Sequence, residues 1–284
     1  MPEFTPPWWL RNAHAQTVFG RIVRPRRLVE LERETIETPD GDELVLDHLE
    51  GDEKARFILM HGLEGSSNSV YMQGLLSAIA RRGMSATAIN FRSCARDPKH
   101  LSRMLPNRRP RFYHSGETGD FDFVAGTLDK RRGGAEAHRR EGAEAHRREG
   151  GSDSATTRLR ASAPLFAIGS SLGGNALLKW LGEHPGQTTI AAAATISVPY
   201  DLGAGATYLE QSWAGRLYVN RFLVTLKEKV KAVVQKFPEA DIDLDRVMRS
   251  RTFREIDDSA TAPLHGFRDA DDYYTRSSSI HFLP

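Results

Sequence analysis

The stretch LFAIGSSLGGNALL, residues 165–178, constrains the fold of this chain more than any other part of the sequence. An apolar run that suits a buried strand ends in Gly-Ser-Ser-Leu-Gly, and a segment that suits a helix follows at once. A G-x-S-x-G turn between a strand and a helix lifts a serine hydroxyl above the edge of a sheet. We therefore predict Ser171 as a nucleophile, with Gly169 and Gly173 leaving room for the sharp turn. The alternative is a tight glycine-rich turn with an incidental serine.

The sequence around this turn alternates short apolar runs with helical patterns. Buried or paired strands are predicted at 33–40, 42–50, 55–62, 85–91, 163–169 and 189–198. Helices are predicted at 70–82, 117–132 and 172–182. Strands that alternate with helices favour an α/β fold with a mostly parallel sheet and helices on both faces.

We divide the chain into four parts. They are an irregular N-terminal arm (1–40), an α/β core (41–199) with a surface insertion at about 130–160, a helical lid (200–276), and the start of a further piece of core (277–284). The arm carries Trp8 and Trp9. These tryptophans suit the mouth of a pocket or a lipid surface, but we favour the interpretation that they anchor the arm onto the core.

The insertion contains a tandem duplication, GAEAHRRE followed by GAEAHRRE, at residues 134–149. His138 and His146 raise the possibility of a metal site, but soft ligands are absent and the surroundings are cationic. We therefore predict a solvated surface insertion and no metal site in the chain.

Composition excludes several classes of protein. The chain has 39 Lys and Arg residues against 37 Asp and Glu residues, and this near-neutral balance does not indicate a nucleic-acid partner. A single cysteine, Cys94, excludes an internal disulfide framework and fits a reducing compartment. The N-terminus lacks the pattern of a secretory signal, and the longest apolar run is too short to span a membrane. We expect a cytoplasmic protein without an integral membrane segment, and its oligomeric state stays open.

A second motif, HGLEGSSNS at 61–69, follows an earlier strand of the same predicted sheet. Acyl transfer needs two backbone N–H groups aimed at the developing oxyanion. One is expected from Leu172, the residue after the nucleophile, and the other from Leu63 in this loop. The small residue Gly62 lets the backbone approach a substrate. The alternative is an ordinary loop at the end of a strand.

Several long motifs, in one order, make the chain resemble the YheT-like branch of the α/β-hydrolases. They are PPWWLRNAHAQT, HGLEGSSNSVY, INFRSCAR, RFYHSGETGDFDFV, GSSLGGNALLKWLGE, SVPYDL and RTFREIDDSATAPLHGFRDADDYY. The resemblance covers nearly all of the chain outside the insertion. The family usually has Gly-Cys-Ser-Gly where this sequence has Ser93 to Arg96, so this loop departs from the family pattern.

The resemblance implies an α/β-hydrolase fold and esterase or lipase chemistry on small acyl or lipid-like esters, without a metal or organic cofactor. Ser171 matches the nucleophile, and Leu63 and Leu172 match the oxyanion donors. Cys94 fits a small buried residue better than a second nucleophile.

The acid and the histidine of a catalytic triad should follow the serine in the sequence. After residue 276 we find no apolar strand, no Asp-bearing turn and no late histidine that match the family. We therefore expect an incomplete chain that lacks the last strands and the triad Asp and His. The alternative function is a catalytically inactive remnant, or a binding module that uses the pocket without turnover.

Other histidines are weaker candidates for the missing base. His184 lies on the helix after Ser171, about 20 Å along its axis, and does not reach the serine. His61 and His114 fit structural roles better. A relocated triad with His265 or His281 is the minor alternative. Its acid would be one of Asp257, Asp258, Asp269, Asp271 and Asp272.

Overall fold

The computed structural model describes residues 5–23, 29–148, 163–240 and 242–284. Strands and helices alternate along these residues, as the sequence predicts. The strands are β1 (Glu32–Glu37), β2 (Glu43–Leu49), β3 (Asp52–Met60), β4 (Met84–Asn90), β5 (Leu165–Ser170) and β6 (Ile190–Ile196). The helices are α1 (Ala13–Val23), α2 (Val70–Ala80), α3 (Gly119–Arg148), α4 (Leu172–Glu183), α5 (Leu202–Gln211), α6 (Trp213–Lys236), α7 (Leu244–Arg249), α8 (Phe253–Ile256), α9 (Ala262–His265) and α10 (Ala270–Ser277).

The strands form one sheet in the order β1-β2-β4-β3-β5-β6. Strand β2 pairs antiparallel with β1 and β4, whereas β4, β3, β5 and β6 are parallel to one another. The central strand β3 buries consecutive residues, because apolar side chains leave it on both faces of the sheet. The predicted mostly parallel sheet is confirmed.

Helices cover both faces of this sheet. On one face, Met72 and Leu76 of α2 pack against Leu59 of β3. On the other face, Phe121 of α3 and Leu177 of α4 belong to a buried cluster with Ile58 and Met60 of β3. Strand β6 pairs only with β5 among the described residues, and Ala191 to Ala194 are exposed on it.

The N-terminal region differs from the sequence expectation. Residues 13–23 form α1 rather than an irregular arm, because the Asn12 side chain caps the helix and accepts hydrogen bonds from the N–H groups of His14 (2.9 Å) and Ala15 (3.2 Å). The expected anchoring of the tryptophans on the core is also wrong. Trp8 is 80% exposed and Trp9 is 49% exposed.

Helix α3 continues through the tandem duplication up to Arg148. The repeat is rich in Ala, Glu and Arg, which are good helix formers, and this composition explains the continuation. The side chains of 134–148, including His138 and His146, and all of 149–162 lie outside the described residues. The surface position of the insertion therefore stays a prediction.

Helices α5 to α10 follow β6, as the helical pattern of 200–276 predicts. Leu223 and Val230 of α6 join Phe112, Val247 and Ile256 in a second buried cluster. After α10 the chain forms a short 3₁₀ turn, Ser279–His281, beside α4. Among the described residues, no helix combines the length and the apolar character needed to cross a bilayer.

Candidate active site

Ser171 lies in the sharp turn between β5 and α4. Its backbone has φ 52° and ψ −118°, a conformation that costs free energy in a residue with a side chain. The turn also depends on two close backbone approaches. A Cβ added to Gly169 would lie 2.5 Å from the carbonyl oxygen of Gly173, and one added to Gly173 would lie 2.5 Å from that of His61. The strand, the strained turn and the helix therefore have the local geometry predicted for a nucleophile.

The register of the sheet brings the HGLEG loop, which follows β3, next to Ser171. Met60 of β3 is opposite Gly169 of β5, so the carboxyl ends of these parallel strands coincide. A Cβ added to Gly62 would lie 3.0 Å from the Cβ of Ser171. The HGLEG loop therefore packs directly against the serine, and a side chain at position 62 would require its neighbours to shift by a few tenths of an ångström.

Some backbone N–H groups of this loop donate hydrogen bonds to described residues of the protein, and one does not. The N–H groups of Gly62 and Glu64 donate to tyrosine hydroxyls, and that of Gly65 donates to the carbonyl of Gly62. Within the described part of the chain, the Leu63 N–H makes no hydrogen bond to the protein. The same holds for the N–H of Leu172, the first residue of α4, where helix geometry leaves the amide without an intrahelical partner.

The partly buried Tyr71 and the buried Tyr113 hold the loop. The hydroxyl of Tyr71 accepts the N–H of Gly62 at 2.6 Å, and burial raises the pKa of Tyr71 to about 12. The hydroxyl of Tyr113 accepts the N–H of Glu64 at 2.6 Å and donates to Glu64 Oε1 at 2.9 Å. Glu64 has a positive φ of 56°. Hydrogen bonds on both sides of Leu63 therefore fix the orientation of its amide.

A buried lysine joins the helical segment to this loop. Lys229 of α6 places Nζ 2.6 Å from Glu64 Oε1 and 3.0 Å from Cys94 Sγ, and 4.6 Å from the centre of the Tyr113 ring. The side chains of Lys229 and Glu64 are 2% and 7% exposed. Burial raises the pKa of the Cys94 thiol to about 11, so Cys94 is a neutral buried side chain, as the sequence predicts.

None of the candidate bases is hydrogen-bonded to Ser171 among the described residues. His61 is fully buried, bonds Gly62 O through Nδ1 and accepts the Phe91 N–H at Nε2, and burial lowers its pKa to about 4. His184 bonds the carbonyl of Trp180, one turn earlier on α4. No hydrogen bond between described residues joins the Ser171 hydroxyl to a histidine or a carboxylate.

His114 and His265 form a largely buried pair with ring centres 4.5 Å apart. Burial lowers the pKa of His114 to about 3 and that of His265 to about 2, so both rings are neutral at pH 7. His265 Nε2 is buried without a hydrogen-bond partner among the described residues. Glu117 Oε2 lies 3.6 Å from His114 Nε2, but no carboxylate among the described residues bonds His265. The contacts therefore place no acid on His265 for a relocated triad.

Asn175, one turn into α4, links the candidate site to two other segments. Its amide donates to the carbonyls of Ser115 (3.0 Å) and Ser277 (2.7 Å) and accepts the N–H of Ser279 (2.9 Å). Sequence reasoning did not single out this residue, nor Tyr71, Tyr113 and Lys229. The motif HGLEG contained one usable signal, since a glutamate beside an expected oxyanion donor needs a partner when buried.

Three curated relatives give the sequence context. The chain is 31% identical to YheT of Escherichia coli strain K12, whose name assigns it provisionally to the esterases, over 99% of this chain and 73% of that protein. It is 28% identical to phospholipase ABHD3 of Mus musculus over 97% of this chain, but it spans only 60% of that protein. It is 24% identical to a monoacylglycerol lipase of Saccharomyces cerevisiae over 87% of this chain and 47% of that protein.

No protein-family model matches the chain. Among solved structures, it is similar to the esterase Pf2001 of Pyrococcus furiosus, with 17% identity and a TM-score of 0.44. This match covers 70% of the present chain and 69% of the esterase.

Proposed function

Since the chain belongs to the YheT-like family of α/β-hydrolases, a family of carboxylic-ester hydrolases, we propose that it cleaves acyl or lipid-like esters through an acyl-enzyme at Ser171. The observation that carries this proposal is the strained backbone of Ser171 directly against the HGLEG loop. A serine held in this way presents its hydroxyl outward, above the carboxyl ends of the strands.

In the proposed reaction the Ser171 oxygen attacks the ester carbonyl, and the N–H groups of Leu63 and Leu172 donate to the oxyanion that forms. The ester C–O bond then breaks, the serine proton leaves with the alcohol, and water hydrolyses the acyl-enzyme to release the acid and restore the serine. Neither amide has a hydrogen-bond partner among the described residues. By contrast, the N–H groups of Gly62 and Glu64, on either side of Leu63, both donate hydrogen bonds. Loss of one such donor reduces kcat by about 10² to 10³ in a serine hydrolase. The lipase and phospholipase names of the relatives favour an ester with an apolar acyl chain.

One observation favours a second candidate function, in which the site binds an ester without turning it over. The described residues place no histidine on the Ser171 hydroxyl. A serine hydrolase without its base and acid is slower by about 10⁶ in kcat.

Labelling with a fluorophosphonate and hydrolysis of p-nitrophenyl esters of increasing chain length separate the two functions. Under the proposal the chain is labelled and turns over ester, and Ser171→Ala abolishes both. The matched control is Ser170→Ala, which removes a buried neighbouring hydroxyl without a partner among the described residues and should leave labelling unchanged. Absence of labelling and turnover in the wild-type chain would refute catalysis and favour the binding function.

A further inference from the structure

The amide of Leu63 is aimed by the peptide unit that it shares with Gly62. This unit is planar and trans, so its N–H points away from its carbonyl. The Gly62 carbonyl accepts the Gly65 N–H at 3.0 Å and bonds His61 Nδ1 at 2.8 Å. His61 Nδ1 is the donor in this contact, because Nε2 of the same neutral ring accepts the Phe91 N–H at 3.1 Å. These two hydrogen bonds to the carbonyl fix the direction in which the Leu63 N–H points.

The hydrogen bond from Gly65 closes a tight turn. It joins the first and last residues of the segment 62–65 and leaves Leu63 and Glu64 at the centre of the turn. Glu64 has a φ of 56°, whereas the φ of Leu63 is not positive, and this combination is that of a type II turn. The third position of a type II turn favours glycine or asparagine, because a larger side chain there costs free energy. Glu64 therefore needs contacts from outside the turn to stay in this conformation.

Two side chains from distant parts of the chain supply these contacts. The Tyr113 hydroxyl accepts the Glu64 N–H at 2.6 Å and donates to Glu64 Oε1 at 2.9 Å. Lys229 Nζ, on α6, lies 2.6 Å from the same carboxylate oxygen. Tyr113 and Lys229 are both buried, and hydrogen bonds to charged groups are strong when water is excluded. The backbone and the carboxylate of Glu64 are therefore both held at a position where a glutamate is locally disfavoured.

We propose that Tyr113 and Lys229 are positioning residues for the oxyanion donor at Leu63, and that they act through Glu64. This inference rests on the proposed function, since it concerns the same acyl transfer. It extends that function by making the oxyanion site depend on the helical segment 200–276, because Lys229 lies on α6. Neither side chain needs to contact the ester. Both preserve the turn, and with it the direction of the Leu63 N–H, before charge develops in the transition state.

Tyr113→Phe tests the first of these two residues. The substitution keeps the ring and removes both hydrogen bonds to Glu64. With p-nitrophenyl butyrate we expect kcat to fall by about 10- to 100-fold and KM to change by less than about twofold, because an oxyanion donor acts on the transition state rather than on the bound ester. The matched control Tyr218→Phe removes a hydroxyl that bonds His14, and it should leave both constants unchanged. An unchanged kcat in Tyr113→Phe would overturn the proposal.

A glycine at position 64 separates positioning from stability in the test of Lys229. Glycine adopts a positive φ without the cost that a side chain carries, so Glu64→Gly/Lys229→Met should keep the turn without the lysine. Glu64→Gln/Lys229→Met also lacks both charges but keeps a side chain at this φ, and its kcat should be at least about fivefold lower than that of the glycine double variant. The two double variants are compared at a temperature at which circular dichroism shows both folded. Equal kcat values would overturn the role of Lys229.

The mobility of the Leu63 amide gives a test that requires no turnover. In the full chain labelled with 15N-leucine, we expect an order parameter of about 0.85 for the Leu63 N–H in the wild type and below about 0.6 in Tyr113→Phe, values that separate a rigid backbone from a flexible one. The variant Leu63→Ile identifies the resonance by removing it. If the wild type hydrolyses no p-nitrophenyl butyrate, the proposed function fails, and the order parameters alone decide the positioning role. Equal order parameters in the wild type and Tyr113→Phe would overturn that role.

Discussion

Replacing Lys229 with methionine should destabilise the protein far more than an ordinary lysine substitution. In the wild type, Nζ of Lys229 is 2.6 Å from Glu64 Oε1, and the two side chains are 2% and 7% exposed. Without the ammonium group, the Glu64 carboxylate stays buried with only the Tyr113 hydroxyl as a side-chain donor, and Oε2 already has no partner among the described residues. Removing one member of a buried ion pair costs about 3 to 5 kcal/mol.

Most of the stability lost in Lys229→Met comes from the unpaired Glu64 carboxylate. Replacing this carboxylate with a neutral amide should therefore recover much of the lost free energy of unfolding. In Glu64→Gln/Lys229→Met, no formal charge remains at this site. We expect the double variant to be more stable than Lys229→Met alone, with a coupling free energy of about 2 kcal/mol in a double-mutant cycle. Urea unfolding midpoints for the wild type, both single variants and the double variant provide the measurement.

Lys227→Met is the matched control, because Lys227 lies two residues before Lys229 on α6. Its Nζ donates to the carbonyls of Met248 (2.9 Å) and Ser250 (2.6 Å) rather than to a carboxylate. Its loss should cost only about 1 kcal/mol. The reasoning is refuted if Lys229→Met costs no more than this control, or if the two single costs simply add in the double variant.

Two further predictions concern the turn and the buried histidines. Gly173→Ala should cost about 3 kcal/mol in urea unfolding, because the new methyl would lie 2.5 Å from the carbonyl oxygen of His61. Gly126→Ala, where an added Cβ meets open space, should instead stabilise α3 by about 1 kcal/mol, and equal effects of the two variants would contradict this argument. His114 and His265 have folded pKa values below their ordinary value of 6.5, so the unfolded chain binds protons first as the pH falls. Each neutral ring contributes its full share to the free energy of unfolding above about pH 6.5. At about pH 5 this share is smaller by about 2 kcal/mol for each histidine. The variant His265→Phe should therefore show a smaller loss of Tm between these pH values than the wild type, and an identical pH profile would refute a neutral buried His265.

The sequence by itself determined the alternation of strands and helices and the strand–turn–helix around Ser171. Both depend on interactions between residues close along the chain: apolar periodicity selects the element, and small residues allow the turn. The same local information predicted that HGLEG follows an earlier strand of the same sheet, whereas the pairing of β3 with β5 is given by the structure. The capping residue Asn12 was also present in the sequence, but the prolines before it favoured an irregular arm, and α1 was therefore missed.

Tertiary structure decided which side chains hold the candidate site. Glu64 and Lys229 are 165 positions apart, and no local pattern indicates that the lysine of an amphipathic helix reaches a loop beside β3. Their pairing depends on how α6 packs over the sheet, which is set by the burial of many apolar side chains at once. The exposure of Trp8, Trp9 and Trp213 depends on the same packing. The hydrophobicity of a tryptophan favours its burial in general, but only the completed fold shows that no core surface covers these three side chains among the described residues.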